Sequence, residues 1–216
     1  MTETVAIIDY GSGNIRSVHK AFARTNQESG GNAEIVVTSD AAIARQADRL
    51  VLPGVGAFSA CRDGLAAIPG MIEALEHATL INKRPFLGIC VGMQLLATHG
   101  HEFGRSQGLG WIAGDVKPLD PETRDCRVPH MGWNSLTQST AHPVLAPIAP
   151  QNDVYFVHSF HFEPENESDV AATCTYGGPI VAAVARDNIL GVQFHPEKSQ
   201  AAGLALIKAF LNWDPV

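Results

Sequence analysis

The chain has 216 residues, 45% of them apolar, and a formal net charge of −7 at neutral pH. That is ample apolar material for a sizeable core, and too acidic a balance for a nucleic-acid binder. No run approaches the roughly 18 apolar residues of a membrane span, the first residues carry Glu3 and Asp9 rather than a basic leader, and the four cysteines include no C-x-x-C pair, so a reduced, cytoplasmic protein without a disulfide framework or zinc knuckle is expected.

The first half alternates strand and helix. Residues 5–8 read as a buried strand, and the turn Gly11-Ser12-Gly13-Asn14 leads into a helix over 15–23. A surface loop is expected at 27–32, then a strand at 34–37 and a helix over 40–47 capped by Ser39 or Asp40. A third strand, 50–52, is broken by Pro53-Gly54. Residues 65–77 read as mostly helical with an interruption at Pro69-Gly70. A strand at 86–89 and a helix over 91–98 follow. Repeated βα units with continuously apolar strands predict a parallel sheet with helices on both faces. Gly11-x-Gly13 lacks the third glycine of a dinucleotide fingerprint, since position 16 is Arg, and no phosphate-loop Gly-Lys-Ser/Thr is present; a tight βα turn is the simpler reading. Beyond Trp111 the character changes. Short β-like runs at 154–157, 170–174, 180–185 and 189–194, separated by hairpin signals such as Gly177-Gly178-Pro179 and Asp187-Asn188, predict an antiparallel portion joined to the same sheet. An amphipathic helix over 199–211 closes the chain, with Leu204, Ile207, Phe210 and Leu211 on its apolar face. With no linker, repeat or low-complexity tract, residues 1–216 read as a single α/β domain.

The densest chemical signal is Gly88-Ile89-Cys90-Val91-Gly92-Met93-Gln94. A cysteine between glycines, after an apolar strand and before a helical run, has the form of a nucleophile elbow. The crowded turn explains the glycines, and a helix start favours a thiolate. An arbitrary cysteine is more often a buried, inert thiol. A second motif reverses that for Cys90: His195-Pro196-Glu197 follows another apolar run. In an extended segment residues i and i+2 share a side, so Glu197 could orient the imidazole that His195 presents to Cys90. His99-His101-Glu102 and His158 with His161 lack the spacing of a closed metal site, and no metal or cofactor is expected.

The elbow and the distant His-Pro-Glu resemble class I, triad-type glutamine amidotransferases. Further stretches narrow the likeness: Asp9-Tyr10-Gly11-Ser12-Gly13-Asn14, Leu52-Pro53-Gly54-Val55-Gly56-Ala57-Phe58, Val128-Pro129-His130-Met131-Gly132-Trp133-Asn134, Tyr155-Phe156-Val157-His158-Ser159, and Gly191 through Ser199. Together they are similar to the glutaminase subunits of imidazole glycerol phosphate synthase, over nearly the whole chain. The resemblance implies a single-domain, flavodoxin-like amidotransferase fold: a mixed central sheet, helices on both faces and an antiparallel C-terminal portion. It implies Cys90 as nucleophile, His195 as base and Glu197 as its orienter. The N–H of Val91 and one from Val55 or Gly56 would form the oxyanion hole. It also implies glutamine held by Gly56, Gln94, Glu102 and the backbone at Ser159 and Phe160. Position 160 departs from the family, which usually has Tyr there. The implied partner is a (β/α)8-barrel cyclase in a heterodimer, which receives the ammonia. Candidate interface residues are Asn14, Trp133 and Lys198, although Trp133 taken alone suits core packing equally well. Other readings stay open on the residues alone: a cysteine peptidase or deglycase, the glutaminase of another amidotransferase, or a non-catalytic module carrying an elbow as a relic.

Overall fold

The apolar runs of the first half become parallel strands because nearly every side chain in them is buried: Val5, Ala6, Ile7, Ile8, Leu50, Val51, Leu52, Phe86 and Leu87 are fully enclosed. In the computed structural model, which describes residues 2–120, 126–138, 141–148 and 152–215, these strands are β1 (Thr4–Ile8), β2 (Glu34–Thr38), β3 (Arg49–Gly54) and β4 (Phe86–Cys90). The eight-stranded main sheet runs β2, β1, β3, β4, then Ile189–Val192, Pro179–Arg186, Val170–Thr175 and Thr137–Gln138. Pairing is parallel from β2 through Ile189–Val192 and antiparallel beyond. The late strand Ile189–Val192 therefore inserts beside β4, with Gly191 opposite Gly88 and Val192 opposite Ile89. The fold class, a mixed sheet sandwiched by helices with an antiparallel end, is the one the sequence predicts.

Several boundaries differ. Helix α1 runs Ile15–Glu28, so Gln27 and Glu28 are helical rather than in a surface loop. The Arg24–Glu28 pair, 2.7 Å apart at i and i+4, supports that last turn, and Gly30 at φ 72° turns the chain only after it. Helix α2 (Ala41–Gln46) is capped by Asp40, whose carboxylate accepts from the Ala42 N–H at 2.7 Å. The helix expected over 65–77 is instead α3 (Phe58–Ala66) and α4 (Met71–Glu76), the latter continuing as a π-helical turn, His77–Ile81. The break falls where Pro69-Gly70 marks it, with Gly70 left-handed at φ 75°. The helix expected over 91–98 is cut to α5 (Val91–Gln94). It stops because the following N–H groups leave the i−4 pattern: Leu96 and Ala97 donate to Met93 and Gln94, three residues back, and Thr98 donates to Gly114. Helix α6 (Gln200–Leu211) packs on α1 through a Phe22–Phe210 edge contact, with ring centres 6.2 Å apart.

The antiparallel portion is only partly joined to the main sheet. His130–Ser135 and Asp153–His158 form a separate two-stranded ribbon. Phe160–Pro164, Gly114–Pro118, His99–Gly100 and Ser106–Gln107 make a four-stranded sheet of their own. Among the described residues no helix is long and apolar enough to cross a membrane.

Candidate active site

The elbow forms where β4 hands over to α5. Cys90 holds φ 55° and ψ −111°, a conformation that non-glycine residues rarely adopt and that marks a constrained functional turn. The flanking glycines are required by contact. A Cβ on Gly92 would lie 1.8 Å from the Leu52 carbonyl oxygen, and one on Gly88 would lie 2.6 Å from that of Gly92. Because β3 and β4 pair with Gly54 opposite Cys90, the loop Val55-Gly56 emerges beside the nucleophile.

The inserted strand Ile189–Val192 delivers the second motif to the other side of Cys90. The His195 N–H is tied to the Tyr155 carbonyl at 2.9 Å, and its own carbonyl accepts from the Ser199 hydroxyl at 2.6 Å. Its Nδ1 lies 2.8 Å from Glu197 Oε1, both side chains being almost wholly buried. The pair is closed differently from the expected extended segment: His195 is extended, but Pro196–Lys198 is a 3₁₀ turn that folds Glu197 back under the ring. Burial pulls the His195 pKa down, but Cys90 and Glu197 outweigh it and raise the group to about 9. Nε2 has no formed hydrogen bond among the described residues. Cys90 and His195 line the same cavity, and the thiol is among the groups that raise the imidazole. At neutral pH the imidazole holds its proton and is the cation that a thiolate needs.

A residue that neither motif contains joins the group. Gln193 is fully buried and directs Nε2 at Cys90 Sγ, 3.6 Å away. Its Oε1 accepts from Gln94 Nε2 at 3.0 Å, and the same Gln94 nitrogen reaches the Phe160 carbonyl, also at 3.0 Å. That carbonyl takes a further 2.8 Å contact from His158 Nδ1. His158 Nε2 in turn lies 3.0 Å from His130 Nδ1, and Asn134 Nδ2 stands 3.4 Å from His130 Nε2. Because the Phe160 carbonyl can only accept, one consistent assignment follows: His158 donates to it, His130 donates to His158, and Asn134 donates to His130. A polar residue two places before His195, between the apolar Val192 and Phe194, was the available signal for Gln193.

A cavity of about 320 Å³ opens over Cys90. Its walls carry Val55, Gly56, Val91, Gln94, Glu102, Ser159, Phe160, His195 and Lys198, all predicted, together with Pro129, Val157 and His158, which were not. Glu102 accepts from the Phe58 N–H at 2.8 Å, which anchors one oxygen of a carboxylate able to face an ammonium group. The contacts at position 160 are made by its backbone carbonyl, which any side chain leaves in place. Trp133 is 47% exposed, so it is not a core residue. Its ring meets Tyr155 at 5.8 Å, and Lys198 Nζ lies 5.7 Å from the same Tyr155 ring, making one cationic and aromatic patch at the cavity rim. Asn14 stands apart from the cavity lining, at the start of α1. No group of three or more His, Cys, Asp or Glu among the described residues could hold a metal ion.

Across residues 6–212 the sequence matches the family model described as glutamine amidotransferase class-I. The chain belongs to that family. Among class-I amidotransferases it is 57% identical over 212 residues to "Imidazole glycerol phosphate synthase subunit HisH" of Rhodospirillum rubrum, covering 98% of this chain and 99% of that one. It is 54% identical over 214 residues to the protein of the same name from Brucella suis, with 98% and 99% coverage. Solved structures share the fold at low identity. One described as a glutamine amidotransferase has TM-score 0.67 at 17% identity, covering 96% of this chain and 97% of that one. A glutamine amidotransferase from Thermotoga maritima has TM-score 0.61 at 16% identity, with 98% and 84% coverage.

Proposed function

We propose that this class-I amidotransferase is the glutaminase subunit of imidazole glycerol phosphate synthase, acting in the cytoplasm in histidine biosynthesis. Its full-length likeness to the subunits named above supports that reading, and the buried His195–Glu197 pair beside the strained Cys90 carries the chemistry. The Cys90 thiolate attacks the side-chain amide carbon of glutamine. The oxyanion that develops is met by the Val91 N–H, the first of α5, and by an N–H from the Val55-Gly56 loop. His195 gives the proton at Nε2 to the departing nitrogen, which leaves as ammonia, and a γ-glutamyl thioester remains on Cys90. Water then loses a proton to His195 and attacks the thioester, releasing glutamate and the thiolate. Glu197 holds the imidazole in place through Nδ1 and stabilises its charged form. Gln94, Gly56, Ser159 and the Phe160 backbone form the glutamine pocket, with Glu102 opposite the α-ammonium group. Ammonia is used by a (β/α)8-barrel cyclase docked over the cavity mouth, where Lys198 and Trp133 meet it, with Asn14 as a further contact at the start of α1.

The test is a pair of assays on one assembled complex with the cyclase. Cys90→Ala should abolish glutamine-dependent synthesis and leave synthesis from added ammonia intact. Retained glutamine-dependent activity would remove Cys90 from the role.

A further inference from the structure

We propose that Ser12 and Cys61 are positioning residues for the oxyanion loop, acting by clasping the carbonyl of Val55. The inference rests on the function proposed above. The turn after β1, 43 positions away, and the nearby helix α3 both reach that one oxygen. Ser12, in the turn after β1, donates its hydroxyl to it at 2.5 Å. The Cys61 thiol, on α3, lies 3.4 Å from it and 3.2 Å from the Ser12 oxygen. Ser12 has one proton to give, and the short bond places it on Val55; the thiol then donates to the Ser12 oxygen or to the carbonyl itself. Burial pushes the Cys61 thiol up, so it keeps that proton at neutral pH.

Little else fixes this stretch of the loop. Val55 is 40% exposed. Gly56 has φ 97°, and a Cβ built there would meet nothing within 4 Å. Orientation of the Val55–Gly56 peptide therefore falls to its hydrogen bonds rather than to packing. In a trans peptide the C=O and N–H point in opposite directions. Holding the Val55 oxygen toward Ser12 and Cys61 turns the Gly56 N–H away from them, and Gly56 lines the cavity together with Cys90. Without the clasp the plane is free to turn over, presenting a carbonyl oxygen where negative charge develops. That defect is felt in the transition state and hardly at all by bound glutamine, so it lowers kcat and spares KM.

The experiment measures glutamine hydrolysis by the complex with its cyclase partner for wild type, Ser12→Ala, Ser12→Thr, Cys61→Ala and Cys61→Ser, with ammonia-dependent synthesis as the control for folding and assembly. Losing an oxyanion donor outright costs about 10²–10³ in rate, and loosening the loop that holds one should cost about tenfold in kcat. Ser12→Ala is expected to show that loss with KM unchanged, Ser12→Thr to restore the rate, and Cys61→Ala to show a smaller loss that Cys61→Ser relieves. A Ser12→Ala kcat equal to or above wild type overturns the proposal, as does a loss carried by KM or shared by Ser12→Thr. A wild-type complex that releases no glutamate would overturn the proposed function instead, and the clasp's catalytic role with it.

Discussion

Two influences compete on His195. Burial favours its neutral form, whereas Cys90 and Glu197 favour the cation and prevail. Removing the thiol should therefore lower the pKa of His195. In an NMR titration of the imidazole, wild type should titrate near 9 and Cys90→Ala at a lower pH; coincident curves would show that Cys90 does not act on the ring. Cys90, His195 and Glu197 could be read from the sequence because each lies in a local motif whose spacing has a mechanical reason, whereas Gln94 and Glu102 were expected as substrate contacts only through the family resemblance. Gln193 was not legible in the same way. Its contact with Cys90 exists because its strand lies beside β4, and that pairing links residues 103 positions apart. The clasp on Val55 was hidden for the same reason, since Ser12 and Cys61 are 49 positions apart and nothing in the sequence around either points to the other.

At the scale of elements, the ribbon His130–Ser135 with Asp153–His158 encloses a histidine pair that stays neutral. His130 is stacked between Phe156 and Tyr176, with ring centres at 4.7 and 4.0 Å. Burial lowers His130 to about 4 and His158 to about 3. The unfolded chain takes up these protons below about pH 6.5 and the folded one does not, so stability is complete above that pH and falls as the pH drops toward 4 and 3. His195 works in the opposite sense: its contribution is full below about 6.5 and fades as the pH rises through about 9, so it plays no part in the acid limb. Urea unfolding at neutral pH and at about pH 4.5 should show a smaller acid loss in His130→Gln than in wild type, and equal losses would contradict the pair's role. Periodicity located most elements, yet it overran α5. Local propensity is a weak prior, and it could not register that Thr98 would give its N–H to the distant Gly114 carbonyl rather than to the one four residues back.

For the molecule as a whole, Arg49 is a tie between sheet and closing helix. It lies on β3, and its guanidinium donates to the carbonyls of Phe210, in the last turn of α6, and Trp213, just beyond it. Both lie at the C-terminal end of α6, where carbonyls collect partial negative charge, and a charged donor suits them well. Arg49→Met should keep the bulk and lose the donors, costing about 2 kcal/mol. Thermal unfolding should show a lowered Tm with glutamine hydrolysis retained at moderate temperature, and an unchanged Tm would refute the tie. The parallel half of the sheet was plain from its apolar runs, whereas the separation of the two smaller sheets was not, because an exposed ribbon and a strand at the edge of the main sheet carry the same alternating pattern. The place of Ile189–Val192 beside β4 also sets a timetable for synthesis. A ribosome makes Cys90 long before it makes His195 and Glu197, and until residues 189–197 have been translated the nascent thiol has no base. The emerging polypeptide therefore cannot hydrolyse glutamine before its last strand has been made. Over the same interval β4 has an unpaired edge, which the growing chain must keep from its neighbours until its own last strand arrives to cover it.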